Sequence, residues 1–301
     1  MSMNITLRQL EVFCAVARHS NVSRAAEDVH ISQSATSMAL AELERQLGTR
    51  LFDRFGKRLV MNANGKALFP LADDLLARAG EVEGLFGSGG PGAALRVGAS
   101  STIGIYLMPG MLRQFSDACP DGQVQLQVGN TEQVIRALKD CEIDIGFIEG
   151  LCSDPAVDSR PWRSDELIVV ASPKHPLASK RRLVPRDLEE ADWILREPGS
   201  GTRRVFELAI AGRLEALKVR FELGHTEAVK RAVASQLGVS CLSRLTVQDE
   251  LRDKSLVQLA VPFLSLRREL YLLLLRNKYV TSSMQTFLET VGAPAGVSNQ
   301  G

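Results

Sequence analysis

The sequence predicts an α+β multidomain protein: an N-terminal winged helix-turn-helix unit, one long linking helix, and a C-terminal body of two α/β lobes. Three observations carry this reading. Residues 20–48 show two short runs of helical periodicity separated by a break. Residues 50–61 show a basic hairpin directly after them. From residue 95, short apolar strands alternate with helical segments, the pattern of βαβ units.

In chain order, Leu7, Leu10, Phe13, Cys14 and Ala17 recur at three- and four-residue intervals and predict a helix that packs on the pair that follows. Cys14 is read as core. Val22, Ala25, Ala26 and Val29 mark the first helix of the pair; Ala35, Met38, Ala39, Leu43 and Leu47 mark the apolar stripe of the second. Ser32 stands at the N-cap of that second helix and Gly48 just past its end. Arg50, Arg54, Lys57 and Arg58 then flank a turn at Phe55-Gly56, with Leu59-Val60-Met61 as the return strand.

Residues 64–86 read as one helix whose Leu68, Leu71, Leu75, Leu76, Ala79, Val82 and Phe86 form a stripe, either for a partner or for the helix's own domain. Residues 87–93 match a G-x-G-x-x-G spacing through Gly87, Gly89 and Gly92. They follow a helix and precede a strand, the reverse of a dinucleotide-binding context, so a hinge is expected there. Beyond it the expected order is LRVGA, helix 102–117, VQLQV, helix 131–139 and IDIGFI. A second unit near Pro161 follows, with ELIVVAS, helices 185–191, 202–212 and 226–236, DWIL, VRFEL and VSCLS; strand 269–275 and helix 282–291 return to the first unit.

The opening turns of the second short helix suggest a function. Gln33, Ser34, Thr36 and Ser37 present short donor-acceptor groups, and such groups at a helix N-terminus can reach base edges in a major groove. A plain helical subdomain with a solvated polar face is the alternative. The adjoining cations favour nucleic acid, since they would neutralise phosphates and fix register without reading sequence.

The whole-chain charge of +1 conceals an asymmetry: residues 1–66 carry nine Lys/Arg against six Asp/Glu, the rest 27 against 29. Cysteines 14, 119, 141, 152 and 241 have no metal-ligand or redox spacing, which suits a reducing compartment. No charged segment followed by an apolar core opens the chain, and Leu270 to Leu275, the longest strongly apolar run, is too short to span a bilayer. A cytoplasmic protein without membrane contact is expected.

From Leu7 to Gly65 the chain resembles the LysR-type transcriptional regulators: Ser23, Ala25 and Ala26 match the first helix of their signature, Ser32 to Ser37 its recognition turn, and Leu47 to Arg54 its L-G-x-x-L-F-x-R segment. Thr36 and Met38-Ala39 depart from the usual pattern. The resemblance implies DNA contacts by Ser23, Arg24, Ser32, Gln33, Ser34, Thr36, Ser37, Arg54, Lys57 and Arg58. It also implies a linker helix that dimerises, a homodimer or homotetramer on double-stranded promoter DNA, contact with RNA polymerase, and a periplasmic-binding-protein-like effector domain. Domains are accordingly 1–65 (DNA-binding), 66–93 (linker and hinge) and 94–301 (effector), with lobe I at 94–160 and 267–295 and lobe II at 161–266. No catalytic residue, metal or cofactor is expected.

Three predicted strands enter helices through hydroxyl-rich turns: Ser100-Ser101-Thr102, Gly199-Ser200-Gly201-Thr202 and Gly224-His225-Thr226. Free N–H groups and the helix dipole there favour an anion, and ligands of open α/β sheets bind at strand ends. Glu149, after IDIGFI, is a further lining residue, tolerable beside an anion only if a proton or cation intervenes. His225 would add a hydrogen bond or pH sensitivity. The segment Glu197 to Arg203 is similar to that of family members sensing sulfur oxyanions or small phosphorylated and carboxylated metabolites, so a small anion such as sulfate or sulfite is expected. The rival readings, a cytoplasmic small-anion-binding protein or an enzyme using the same cleft, leave residues 20–65 unexplained. No G-x-S-x-G, Walker or H-E-x-x-H motif supports an enzyme.

Overall fold

The computed structural model describes residues 4–55, 58–86 and 94–293. The predicted hinge at 87–93 and the wing turn with Gly56 and Lys57 lie outside the described residues. The chain opens with α1 (Leu7–His19), started by a capping box between Thr6 and Gln9. Next come α2 (Val22–Asp28), capped by Asn21, and α3 (Gln33–Leu47), capped by Ser32 and closed by Gly48 in the left-handed region. Strands β1 (Phe52–Phe55) and β2 (Arg58–Met61) pair antiparallel as the wing, and α4 (Ala63–Phe86) is the long helix. Phe13 is fully buried between Phe52 of the wing and Phe69 of α4, its ring centroid 5.6 Å and 6.0 Å from theirs.

The stripe of α4 divides. Phe69 and Ala72 are buried in the N-terminal core, with Leu68 and Leu76 packed against it, whereas Leu71, Leu75 and Val82 are exposed. The reading in which the stripe folds back on its own domain holds for its inner edge, and the outer edge is left exposed.

The C-terminal body begins with β3 (Leu95–Ser100). The single helix expected at 102–117 is two, α5 (Ser101–Tyr106) and α6 (Met108–Ala118). Pro109 has no N–H for the carbonyl four residues back, and the ladder breaks there. Next come β4 (Val124–Gly129), α7 (Thr131–Lys139), β5 (Ile145–Glu149), β6 (Val157–Ala171), α8 (Pro185–Glu190) and β7 (Asp192–Arg196). The chain continues through α9 (Gly201–Ile210), β8 (Lys218–Leu223), α10 (Thr226–Ala234), β9 (Ser240–Ser243), α11 (Gln248–Arg252), β10 (Val257–Leu259), β11 (Arg267–Leu275) and α12 (Ser282–Thr290).

Parallel ladders pair β3 with β4 and β5, and β7 with β8, and a single parallel bridge joins Trp193 to Val239. One seven-stranded sheet is ordered β10-β6-β11-β5-β3-β4, with β9 also on β6, and its pairings outside those of β3 are antiparallel. The two lobes are thus joined through β6 and β11, while β7 and β8 form a separate two-stranded sheet. β6 is longer than the expected ELIVVAS strand: its first part pairs with β11, and its last part with β9 and β10. Pro161 is accommodated inside it at a register shift between Leu270 and Tyr271 of the partner strand. Separate cores lie on the two sides, one around Phe147, Phe115 and Phe287, the other around Trp193 and Phe206. Among the described residues no helix is long and apolar enough to cross a membrane.

Because Phe13 joins α1, the wing and α4, Phe13→Ala should cost about 3–5 kcal/mol. Urea denaturation followed by circular dichroism should show its N-terminal transition shifted to lower denaturant.

Candidate DNA interface and interlobe site

The N-terminal unit presents its polar groups on one face of α3. Gln33, Ser34, Ser37 and Met38 are exposed, while Leu40 and Leu43 are buried. The Ser32 hydroxyl accepts from the Ala35 N–H at 3.1 Å and lies 2.9 Å from the Ser34 hydroxyl. Thr36 corrects the sequence reading. It is fully buried and donates to the Ser32 carbonyl at 3.0 Å, so it faces the core and not a groove. Met38, placed in the apolar stripe by its chemistry, is 72% exposed. The helix is rotated relative to the stripe because Leu40, skipped in that reading, points inward.

Ser23 and Arg24 stand exposed at the start of α2, their N–H groups held by the Asn21 side chain. Arg50, Arg54 and Arg58 are exposed and form no ion pair with described residues, which leaves their charge to solvent or a polyanion. Arg54 and Arg58 flank the wing tip, where Phe55 opposes Arg58 in register.

In the C-terminal body, the hydroxyl-rich turns lie at strand ends as expected, but they are unequal. Ser100, Thr102 and Thr202 are buried, as is Glu149 at the end of β5. The centre of the cluster is a residue that sequence reading missed. Arg268 of β11 lies opposite Asp165 of β6 in register, its Nε donating to the Asp165 carboxylate at 2.7 Å and its Nη1 to the Thr202 hydroxyl at 3.0 Å. Asp165 also accepts from Ser243 at 2.9 Å. Burial alone would raise the Glu149 pKa; Arg268 and the hydroxyls of Thr102, Ser100 and Thr131 outweigh it and hold the carboxyl below its usual range. The Thr131 hydroxyl donates to Glu149 at 3.1 Å. The Ser100 hydroxyl is fully buried beside Glu149 and helps to hold that carboxyl ionised.

The other predicted residues have different employment. Ser101 donates to the Gly129 carbonyl, and Ser200 caps α9 through the Arg203 N–H. Gly201 is required by close approach: a Cβ there would fall on the Glu149 carbonyl and the Thr131 hydroxyl. Thr226 accepts from Arg196, a buried cation that also pairs with Glu197. His225 is exposed, and its Nδ1 accepts from the Glu227 N–H at 3.2 Å. It is a helix cap outside the cluster, which removes the expectation that it lines the site.

The two lobes touch across the cleft. Asn130 donates to Glu197 at 3.2 Å, the Glu132 N–H to the Gly199 carbonyl at 3.2 Å, and Tyr106 to Glu227 at 2.7 Å. Lys230, buried beside them, joins Tyr106, Glu227 and Glu250. Open cavities lie elsewhere, about 270 Å³ beside β4 and α7 and about 430 Å³ between α4 and α7; neither gathers the predicted hydroxyls. Arg196, the last residue of β7, was passed over as well, although a cation at a strand end was a signal that could have marked it. Arg268 and Asp165 carried no such signal, since nothing local pairs residues 103 apart in sequence.

Comparisons with known proteins agree with this architecture. Residues 7–66 match the bacterial regulatory helix-turn-helix protein, lysR family, and residues 88–294 the LysR substrate binding domain. The uncharacterized HTH-type transcriptional regulator YeiE of Escherichia coli is 43% identical over 287 residues, covering 95% of this chain and 97% of that one. A full-length OxyR variant of Pseudomonas aeruginosa superposes with a TM-score of 0.76 at 22% identity, covering 96% and 95% of the chains, a likeness of fold. The Synechocystis CcmR regulatory domain in complex with 2-PG is 30% identical with a TM-score of 0.61, over 66% of this chain and 95% of that one.

Glu149 contributes stability that is present above the ordinary glutamate value of 4.5 and is lost as pH falls through its depressed folded value. Acid titration of unfolding free energy should therefore fall more steeply below that value in the parent than in Glu149→Gln. Parallel curves would contradict the assignment.

Proposed function

The chain belongs to the LysR family of transcriptional regulators, which are not enzymes, and from that premise we propose that its interlobe cluster takes a small oxyanion, sulfite in preference to sulfate. Its binding alters the grip of a homodimer or homotetramer on promoter DNA in the cytoplasm, and through it contact with RNA polymerase.

The observation that supports the effector reading is the burial of three hydroxyls around Arg268 and Glu149, Ser100 and Thr102 from one lobe and Thr202 from the other. Thr202 already accepts from Arg268, so its own hydroxyl proton is free to donate from the opposite lobe. The first turns of α5 and α9 add N–H groups and partial positive charge. Against them, Asp165 and Glu149 outnumber Arg268. A fully ionised ligand is repelled by Glu149, whereas an oxyanion that retains a proton donates it to that carboxylate. Sulfite is partly protonated near neutral pH and sulfate is not, hence the preference.

The ligand can shift the regulator only through a difference in affinity between two arrangements of the lobes. The interlobe hydrogen bonds of Asn130, Glu132 and Tyr106 are the contacts that such a shift would remake. On the DNA side, Gln33, Ser34 and Ser37 are assigned to base edges; Ser23, Arg24, Arg54, Lys57 and Arg58 are assigned to the backbone.

Isothermal titration of the full chain with sodium sulfite should give saturable heat, weakened about tenfold or more in Thr102→Ala and in Thr202→Ala, as expected for loss of a hydrogen bond to a charged group. No heat with sulfite or sulfate, or unchanged affinity in both variants, would sink the effector assignment. In gel shifts at two salt concentrations, Arg54→Ala should weaken binding alike on all duplexes and lower the salt slope by about one. Gln33→Ala should keep that slope and lose about 1–3 kcal/mol of discrimination at one base position.

A further inference from the structure

Away from the cleft, the densest buried charge lies where α1, α4 and lobe I meet. Asp73 of α4 accepts from Arg18 of α1 at 2.7 Å and from Arg96 of β3 at 3.1 Å. Arg96 continues to Asp144 at 2.6 Å, and donates to the Cys141 carbonyl at 2.9 Å. Lys278, just after β11, sets its ammonium 3.1 Å from Asp73, 3.3 Å from Asp144 and 3.7 Å from Asp74. Three cations thus face three carboxylates, and the Lys278 and Asp73 side chains are only 7% and 8% exposed. Further along α4, Glu81 accepts from the Tyr279 hydroxyl and the Ser282 N–H, and Arg78 lies 4.3 Å over the Tyr279 ring. Cys141 of lobe I is itself part of the N-terminal core, with Leu275 packed against it.

An ordinary interdomain contact of polar and apolar patches can slide. A buried ion cluster cannot, because each separation strands an uncompensated charge; such clusters add little net stability over an apolar filling, yet they specify one geometry. We propose that this cluster is a clasp that makes the DNA-binding head, α4 and lobe I a single rigid body within the chain, with Lys278 as the positioning residue that bridges α4 to lobe I. Any change in lobe angle then moves lobe II against a head fixed to lobe I. The inference holds whatever ligand the cleft takes, since none of the six groups lines it.

Hydrogen exchange of the full chain tests it. Lys278→Met should accelerate exchange of residues 70–82 by about tenfold or more while leaving lobe II residues 192–243 unchanged, the mark of a local opening. Asp74→Asn combined with Lys278→Met removes one charge of each sign; it should recover denaturation midpoint toward the parent but leave residues 70–82 fast. Parent-like protection of 70–82 in Lys278→Met would overturn the clasp, as would acceleration spread equally over lobe II. Protection restored in the double variant would also overturn it, since net charge and not the bridge would then be what matters.

Discussion

Arg268 and Asp165 face one another across β6 and β11 where these strands pass from one lobe to the other, their side chains 1% and 2% exposed. Two charges taken so completely out of water are tolerated when they pair closely and further hydrogen bonds meet most of their other donors and acceptors. Arg268 therefore reaches Thr202, Asp165 takes Ser243, and the same guanidinium holds the neighbouring Glu149 ionised. The N-terminus of α9 is drawn against the end of β5 until only glycine fits at position 201. The geometry of the proposed effector site is thus a consequence of one cross-strand ion pair, and the hydroxyls around it are presented rather than left to wander.

The DNA-binding end follows a different economy. Its core is apolar and aromatic, built on Phe13, and its functional groups are held by short local devices: the Ser32 and Asn21 caps, the Gly48 turn and a four-residue ladder in the wing. Exposed arginines that form no ion pair with described residues are suited to a polyanion, because no such pair must first be broken. The clasp at Asp73, Arg96 and Lys278 joins this end to lobe I with the same kind of buried charge that joins the lobes to each other.

Features set by local chemistry were legible in the sequence. The caps, the paired wing strands, the long helix and most of the strands and helices rest on residues within a few positions of one another and lie where periodicity and turn chemistry put them; the break at Pro109 and the length of β6 do not. Ser100, Thr102 and Thr202 were found for the same reason, each at the junction of a strand and a helix. The phase of α3 was misjudged because hydrophobicity ranks Met38 above Thr36, whereas packing favours a small residue that can satisfy its hydroxyl on its own backbone. The antiparallel joining of the lobes, Arg268 with Asp165, and Lys278 with Asp73 were out of reach: they pair residues 103 and 205 positions apart, and single-sequence periodicity carries no information at that range.

The central claim is that the N-terminal unit grips duplex DNA selectively and that the two-lobed body adjusts that grip. The most direct measurement is to pass fragmented genomic DNA over the purified full chain at moderate ionic strength, with and without sulfite, and sequence what is retained. The account predicts a small set of strongly enriched fragments whose retention changes with the anion. Retention no better than that of random duplex in either condition would contradict it.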